Sequence, residues 1–525
     1  TDHEPRSLPN VPPLLPGDYA DGSVTRSKLA PSTAFEQIRG RVFDITYPEF
    51  GADPTGQEDA GAAIQAALNA AKAAGGGTVY VPPGRYKLSN LKNEGEWSHH
   101  LELTGDRVEL VGSGPSSVFV CEGEVVAVIA VMGWIKEADE FMDWEENWAP
   151  ALTKYPPAGD IEKGDMSITL ADPEDAENFN VGDHIAICTG IVGHILTQDS
   201  EVNRIADIDY DTGEIQLCWP TEKKYTQEYA EDQTWLDGEA FPVESDRNPT
   251  AYPVPYGICN IEGKLIERPA IRNLAFESTA RVGCFARYHS TIGFVAENIW
   301  GFGGINGING RQSRFWQLRN IEIDYTIEDP TMYVTIGGST GCSGGVIDNC
   351  RVSHRSGDVN LELSEGTSNV TVRNLEMVGA TVPTLGASNV YWGRNRDIRL
   401  INLHVHNHAA GPMFLLFEGK EPDHCEGNVI AQPVVSGQAN NAGRLVPGWR
   451  VQGEVLTDPE LSIRAFGSLY HTIGQPTEVR AVEALVTYED AGSVVELGTV
   501  PSGSVITAVM VEVIQAFDAG TVNEL

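Results

Sequence analysis

The chain has 525 residues, and 36 lysines and arginines face 74 aspartates and glutamates, which gives a formal net charge of −38. This acidic balance argues against nucleic acid and anionic membrane surfaces as partners, because both recruit basic patches. It also disfavours a highly anionic polymer, unless a local basic groove accepts one. No apolar run is long enough to span a bilayer and no signal-type segment opens the chain, so we expect a soluble or trimmed protein, made in the cytoplasm without a signal peptide.

The composition favours a β-rich, turn-rich architecture, because the chain contains 55 glycines and 30 prolines. No cysteine belongs to a CxxC pair with metal-ligand spacing. We therefore expect no metal site built on cysteine and no disulfide framework. The eight cysteines are predicted to be small buried apolar side chains. They are Cys121, Cys188, Cys218, Cys259, Cys284, Cys342, Cys350 and Cys425.

Residues 1–42 begin as a proline-rich polar lead and continue into Gly17–Thr33, which contains DGSVTRSKLA. That piece resembles a short module of phage tail fibres and tailspikes, in which it joins the particle-binding end to the body. The resemblance implies attachment to a phage tail through the N-terminus. A disordered linker is the alternative.

A short helix is predicted near residues 58–74, where Ile64, Ala67, Leu68 and Ala71 recur at helical spacing. Gly75–Gly77 ends it, and a buried strand is predicted to follow. The helix is Ala-rich and too weakly apolar to form a core alone. It is therefore predicted to cover the apolar end of a larger structure.

The stretch FGADPTGQEDAGAAIQAALNAAKAAGGGTVYVPPGRYKL resembles the entry segment of the pectate-lyase-like superfamily of right-handed parallel β-helices. Ala63–Gln65, Gly75–Gly77 and Pro82–Tyr86 match the usual form well, whereas Asp53–Asp59 is a looser version of its Asp-Gly-x-x-Asp-Asp-Thr run. The superfamily includes lyases, hydrolases, epimerases and non-enzymes. The resemblance therefore implies a fold and says little about the chemistry.

Residues 134–255 interrupt the first coils and are predicted to be loops with an inserted β-segment. Paired strands are expected within Gly164–Ile187 and Val202–Pro220. This arrangement resembles the inserted segment of phage depolymerases and related β-helix enzymes.

A repeat begins near residue 265, where asparagines followed by an alternating apolar pattern recur every 22 to 29 residues. This period, with one strand per repeat, indicates a solenoid. Stacked amides would satisfy one another from coil to coil, so we predict an internal asparagine ladder. The prediction is an all-β, right-handed parallel β-helix over residues 43–437. The ladder positions are Asn273, Asn298, Asn320, Asn349, Asn374, Asn402 and Asn428.

Strand alternation places the residue after each asparagine inside the solenoid and the second and fourth residues outside. Because coils stack about 4.8 Å apart, the outward residues should form one patch. The patch is predicted to contain Trp300, Glu322, Asp324, Arg351, Glu376, His404 and His406.

Two-carboxylate glycoside hydrolysis is the leading prediction for this patch, with Glu322, Asp324 and Glu376 as catalytic residues. Glu322 and Asp324 should lie about 6.6 Å apart at Cα, and Glu322 and Glu376 about 9.6 Å apart. Side-chain adjustment brings either pair into the range of roughly 5–9.5 Å that such hydrolysis needs. Arg351, His404, His406 and Trp300 would bind substrate. The alternative is a surface ladder of opposite charges that only stabilises stacking.

A second face is predicted to supply Glu362, Tyr391 and Arg394 as substrate-binding residues, although a structural turn network is an alternative. A polysaccharide lyase is the second functional hypothesis, with Arg351 and a histidine acting on a uronate. No cofactor is required, although Ca²⁺ bound by the carboxylates would favour lysis. His404, His406 and His408 share one face of a strand, but no third-ligand motif accompanies them, so we predict no metal site.

Residues 438–525 change period and resemble a small β-module of phage tail and capsid-associated proteins. The resemblance implies a trimerising end and hence a homotrimer, whereas a simple capping β-domain is the alternative. Together these features predict a tailspike-type polysaccharide depolymerase on a virion or otherwise extracellular. A non-catalytic glycan-binding appendage is the third hypothesis.

Overall fold

The fold was analysed in a computed structural model. Among the described residues, no helix is long and apolar enough to cross a membrane. The structure describes residues 41–92, 98–133, 153, 155–188, 200–225, 257–328, 333–339, 341–363, 367–379, 389–390, 396–412, 415–416, 428–431, 434–440, 449–452 and 456–457.

The first coils consist of short parallel strands and one helix. In chain order they are β1 Val42–Asp44, β2 Thr55–Asp59, α1 Gly61–Ala73, β3 Gly77–Val81, β4 Gly84–Leu88, β5 His99–Leu103, β6 Val108–Gly112, β7 Ser117–Cys121 and β8 Val125–Met132.

An insert follows β8 and forms its own antiparallel sheet, in the order β13-β10-β11-β12-β9. The predicted paired strands are present, and the sheet extends past the predicted boundary at residue 255. Its elements are β9 Ser167–Thr169, a 3-10 helix at Pro173–Asn178, β10 His184–Cys188, β11 Ser200–Asp209, β12 Glu214–Leu217 and β13 Gly257–Asn260.

The later coils continue the parallel stacking. Their strands are β14 Ile266–Glu267, β15 Ala270–His289, β16 Thr291–Ile292, β17 Val295–Ile305, β18 Gly307–Arg311, β19 Gln317–Tyr325, β20 Tyr333–Gly338, β21 Val346–His354, β22 Asp358–Leu363, β23 Thr371–Gly379, β24 Asn389–Val390, β25 Arg399–Pro412, β26 Leu415–Leu416, β27 Asn428–Ala431, β28 Val434–Asn440, β29 Trp449–Gln452 and β30 Leu456–Thr457.

Strand β15 shows how one coil is built, because it pairs in parallel with β6, β7 and β8 in succession. Each coil therefore has three sides. We call them sheet 1, before the ladder asparagine; sheet 2, directly after it; and sheet 3, which contains β8, residues 282–289 of β15, β18, β20 and β22. Apolar side chains from all three sheets fill one continuous core. The predicted parallel β-helix is confirmed.

The ladder asparagines occupy the corner between sheet 1 and sheet 2. Their φ angles lie between 51° and 55°, a left-handed conformation that asparagine tolerates better than most residues. Asn320 donates to Asn298 Oδ1 at 2.9 Å, and Asn349 donates to Asn320 Oδ1 at 2.8 Å. These asparagines are partly or fully exposed. The prediction that the ladder lies inside the solenoid was therefore wrong. The six confirmed positions are Asn273, Asn298, Asn320, Asn349, Asn374 and Asn402.

The seventh predicted position is wrong. Val429 pairs with Arg399, so Asn428 stands beside Ile398, four residues before Asn402. The sequence spacing misleads here because the connection between the two coils has a different length. Parallel pairing also continues through β29 and β30, so the stacking passes the predicted boundary at residue 437. Apart from the short strands that end at Thr457, the proposed C-terminal module lies outside the described residues.

Helix α1 covers the first coil, as predicted. Ile64, Ala67, Leu68 and Ala71 are buried and belong to the same core as the strands of the first coils. The helix therefore shields apolar surface that a solenoid would otherwise expose at its end.

The loosened turn before α1 is held by one carboxylate. Asp53 accepts hydrogen bonds from the backbone N–H groups of Thr55, Gln57 and Glu58. The bond from Glu58 and those from Thr55 lower the pKa of Asp53 to about 2. The turn is thus ordered despite its departure from the usual motif.

The cysteine prediction is confirmed in part. Cys121, Cys259, Cys342 and Cys350 are buried, whereas Cys284 is half-buried and Cys218 is exposed. Cys218 directly follows β12 in the insert, where the chain has left that sheet's core.

Substitutions at Asn320 should separate the contribution of the amide hydrogen bonds from that of the left-handed backbone conformation. Asn320→Ala and Asn320→Gly both remove the amide bonds, but only glycine accepts the left-handed backbone without strain. We expect the alanine variant to have a free energy of unfolding about 1–2 kcal/mol lower than the glycine variant. Urea unfolding followed by circular dichroism measures this difference. Equal stabilities would contradict the role assigned to the corner.

Candidate functional site

All three sheets carry outward polar side chains, and on sheet 1 they form ion pairs such as Arg272–Glu297 and Arg373–Asp348. The face predicted from the sequence is the outward side of sheet 2. The strand register stacks the predicted patch in two columns, as the sequence pattern requires. One column aligns Trp300, Glu322, Arg351, Glu376 and His404, and the other aligns Phe302, Asp324, Ser353, Val378 and His406. We call these two columns the sheet-2 face.

Ion pairs run along the sheet-2 face. Arg351 lies between two carboxylates, with Nη1 3.7 Å from Glu322 Oε1 and Nε 3.3 Å from Glu376 Oε2. Asp324 accepts a hydrogen bond from Ser353 Oγ at 2.8 Å and lies 3.5 Å from Arg355 Nη2. All three predicted catalytic carboxylates are therefore paired with neighbours. This is the arrangement expected of a stabilising charge ladder, although exposed pairs of this kind contribute little.

Two residues of the sheet-2 strands depart from the expected exposure of every second and fourth residue after the asparagine. Ala275, predicted to face outward, is 2% exposed, and it stands between Val118 and Trp300 in its column. The neighbouring larger side chains cover this small residue. Ser353 is also buried, because its hydroxyl turns toward Asp324 and the backbone of Ile323.

The second face is the outward side of sheet 3. Here Arg287 pairs with Asn309, and Gly337 pairs with Glu362 on the following coils. A parallel column two residues further on contains His289, Arg311 and Ser339. We call these residues the sheet-3 face. They are Arg287, His289, Asn309, Arg311, Gly337, Ser339 and Glu362.

Gly337 allows two polar residues of the sheet-3 face to meet. It stands between Asn309 and Glu362 and has no side chain, so the Asn309 amide reaches across it and donates to Glu362 Oε2. The φ of Gly337 is 153°, and a Cβ there would lie 2.0 Å from the Glu362 carbonyl oxygen. Any other residue would therefore displace the strand that carries Glu362.

The electrostatics of the sheet-3 face differ from those of the sheet-2 face. Burial raises the pKa of the Glu362 carboxyl, although Arg311, Arg287, Ser339 and Asn309 oppose this effect. Burial lowers the pKa of His289 well below its ordinary value, and the two guanidiniums lower it further. The face thus combines two cations, an imidazole that is neutral at neutral pH and a carboxyl that holds its proton more strongly than usual.

The interior of the coil fixes the sheet-3 face from behind. The Tyr288 hydroxyl is buried and donates to the Gly337 carbonyl at 2.8 Å, and its ring stacks on Phe294 at 4.6 Å. A Cβ on Gly310 would lie 1.9 Å from the Tyr288 ring. The tyrosine therefore needs a glycine beside it to link β15 with β20.

The insert packs against the turns that follow the strands of sheet 3. Arg314 is 2% exposed, and its Nη2 lies 3.1 Å from Glu222 Oε1 on the insert. Its Nη1 lies 3.6 Å from the buried Glu201, whose pKa is raised by burial. Further along, Ser368 donates to Glu222 Oε2 at 2.7 Å. The insert therefore borders the sheet-3 face along several coils.

The predicted site residues fall into three groups. The structure brings together on the sheet-2 face Trp300, Glu322, Asp324, Arg351, Glu376, His404 and His406, and it places Glu362 on the sheet-3 face. Tyr391 and Arg394 lie outside the described residues. Where side chains are described, no group of three or more His, Cys, Asp or Glu residues is placed to hold a metal ion. Ca²⁺ stays a prediction.

The sequence pattern missed five polar residues of the sheet-3 face: Arg287, His289, Asn309, Arg311 and Ser339. Their distance from the ladder varies, because the column residue follows its asparagine by 14 positions at Arg287, 11 at Asn309, 17 at Gly337 and 13 at Glu362. Turns of unequal length therefore hide the column. The sequence feature that could have revealed the sheet-3 face is the short strand-like segment that follows each sheet-2 strand.

Residues 47–117 match the family model described as rhamnogalacturonase A/epimerase, pectate lyase-like. The predicted resemblance is confirmed over this segment. Mannuronan C5-epimerase AlgE6 of Azotobacter vinelandii is 48% identical over 71 residues, which cover 14% of this chain and 8% of that protein. Alginate lyase 7 of the same organism is 44% identical over 66 residues, which cover 13% of this chain and 7% of that protein. The chain thus spans less than a tenth of these relatives.

Among solved structures, the tailspike gp61 of Pseudomonas phage phi297 is similar with a TM-score of 0.41 and 11% sequence identity. The match covers 78% of this chain and 72% of that chain.

Removing Arg314 should weaken the protein far more than removing Arg351. Arg314→Met leaves Glu201 buried without its guanidinium partner, and breaking such a buried pair costs about 3–5 kcal/mol. Arg351→Met, the matched control, breaks exposed pairs worth roughly 0–1 kcal/mol. Urea unfolding measures both. Similar losses in the two variants would contradict the anchoring role of Arg314.

Proposed function

We propose that the protein is a glycan-acting enzyme that binds a uronate-containing polysaccharide on the sheet-3 face and cleaves it by β-elimination. One observation carries the proposal: Arg287 and Arg311, on earlier coils of the sheet-3 face, act electrostatically on Glu362, a carboxyl of raised pKa, in a chain of net charge −38. A local pair of guanidiniums is what an acidic protein needs in order to accept an anionic sugar.

The sheet-3 face contains the groups that this reaction requires. A guanidinium paired with the uronate carboxylate makes the adjacent C–H more acidic. A base removes that proton, a carbon–carbon double bond forms, the glycosidic C–O bond breaks, and an acid protonates the leaving oxygen. Glu362 is suited to the acid role because its proton is held more strongly than usual. His289, neutral at neutral pH, is the candidate base on the same face.

The activities for which two relatives are named, an epimerase of mannuronan and an alginate lyase, are consistent with a uronate substrate. Their matches cover only 71 and 66 residues of this chain, fewer than separate Arg287 from Glu362. The support from these relatives is therefore general. A virion or extracellular location, attachment to a phage tail through the N-terminus and a homotrimer are further parts of the proposal that derive from the sequence resemblances.

Glu362→Gln should abolish most of the activity, because glutamine cannot donate the proton to the leaving oxygen. We expect a loss of about 10²–10⁴-fold in the release of unsaturated uronate, followed by its ultraviolet absorbance on alginate and pectate. Arg355→Gln, which removes the guanidinium beside Asp324 of the sheet-2 face, is the control and should retain activity. Full activity in Glu362→Gln, with unchanged thermal melting, would refute the assignment.

The pH dependence of the reaction should follow the proton on Glu362. The acid acts only when protonated, so activity should fall as pH rises through the pKa of Glu362. Because that pKa is raised, the fall should come at higher pH than for an ordinary glutamic acid. A kcat profile that is flat through this range would contradict the acid role.

Hydrolysis on the sheet-2 face is a second candidate function, because the register places Glu322 and Glu376 two coils apart with Arg351 between them. Hydrolysis needs one of these carboxylates as acid and another as base or nucleophile. In this candidate Asp324 also serves as a catalytic carboxylate, and His404 and His406 contact the sugar.

Product analysis distinguishes the two reactions. If the sheet-2 face is catalytic, reducing ends should appear without ultraviolet absorbance, and Glu322→Gln and Glu376→Gln should each reduce their release at least tenfold. Under β-elimination both signals appear together, and these two variants retain activity. Thermal melting confirms that each variant is folded.

A further inference from the structure

We propose that Trp300 and Phe302 form an accessory binding platform for neutral sugar units of a polysaccharide, separate from the reactive site on the sheet-3 face. The inference rests on the proposed function, since it supposes that the protein acts on a glycan. It assigns sugar binding, however, to the sheet-2 face, whereas the proposed function places the reaction on the sheet-3 face.

The two aromatic side chains lie side by side on the outward side of β17. They are two residues apart, about 6.6 Å at Cα, and both point away from the core that contains Ile299. Phe302 is 38% exposed, and Trp300 is partly exposed. Most large aromatic side chains in the described coils are buried in the core, so an adjacent outward pair needs a separate explanation.

The strand next to the pair supplies polar partners. Glu322 stands directly beside Trp300, and Asp324 stands beside Phe302. A sugar ring has an apolar C–H face and a rim of hydroxyl donors. An aromatic surface bordered by carboxylate acceptors is therefore complementary to a sugar that lies flat across the two strands.

The charge of this surface favours a neutral sugar unit. The three carboxylates of the sheet-2 face are opposed by Arg351 and Arg355, so the ion pairs offer no excess of guanidinium for a uronate. The sheet-3 face, in contrast, has two guanidiniums, those of Arg287 and Arg311, and one carboxyl, that of Glu362. A mixed polysaccharide would thus present its neutral units to one face and its uronates to the other.

The two faces belong to different sides of the same coil. β17 forms sheet 2 near Trp300, and the chain then turns through Gly303 into sheet 3, where Ile305 pairs with Val282. One sugar unit cannot contact both faces. The platform would therefore hold a distant part of a long chain and raise the local concentration of substrate near the reactive site.

Affinity electrophoresis tests the platform in gels that contain dextran, galactomannan, mixed-linkage glucan, alginate or pectate. We expect at least one neutral polymer to retard the wild-type protein. The double variant Trp300→Ala/Phe302→Ala should bind that polymer about tenfold to a hundredfold more weakly, because two stacking surfaces are lost. Tyr47→Ala, an exposed aromatic residue on the first coil, is the matched control and should be retarded like the wild type.

Glu362→Gln separates this inference from the proposed function. It should keep the retardation by the neutral polymer while losing elimination activity. Equal retardation of the wild type and the double variant, or no retardation by any neutral polymer, would overturn the platform. If Glu362→Gln instead kept full activity, the proposed function would fail while the platform stood. Thermal melting of each variant checks that it is folded.

Discussion

The in-register parallel pairing of successive coils is the constraint on which the structure depends. Each strand hydrogen-bonds to the equivalent strand of the next coil, so a side chain on one coil lies about 4.8 Å from its counterpart. In the six coils from Asn273 to Asn402 the left-handed asparagines hold this register at one corner, because they bend the chain at the same point. A slip of one residue would exchange inward and outward side chains along a whole sheet.

The same constraint gives the two outward faces opposite electrostatic characters. On sheet 2, Glu322, Arg351 and Glu376 alternate in sign from coil to coil, and the pairs compensate one another in water. On sheet 3, Arg287 and Arg311 lie on the same face as Glu362, which is more buried and whose pKa rises for that reason. Charges that alternate compensate one another, whereas two guanidiniums near a carboxyl of raised pKa can receive an anionic group.

Glycine positions decide how closely the side chains of sheet 3 approach one another. Outside the coil, Gly337 leaves the space through which Asn309 reaches Glu362. Inside it, Gly310 leaves room for the Tyr288 ring, whose hydroxyl holds the Gly337 carbonyl. The insert then closes one border through Arg314. The reactive surface that we propose is thus supported by packing from behind and by a buried ion cluster at its edge.

The sequence alone determined the solenoid, the lid helix and the sheet-2 face, because the second and fourth residues after each asparagine keep a constant distance from it. That rule placed Glu322, Arg351, Glu376 and His404 in one column without any coordinates. Only the tertiary structure decided the sheet-3 face and the place of Asn428. Turns of unequal length separate sheet 3 from the ladder, so Arg287, Asn309 and Glu362 have no common spacing in the sequence. Their alignment arises from hydrogen bonding between coils, which acts through space and does not depend on how long the intervening turn is.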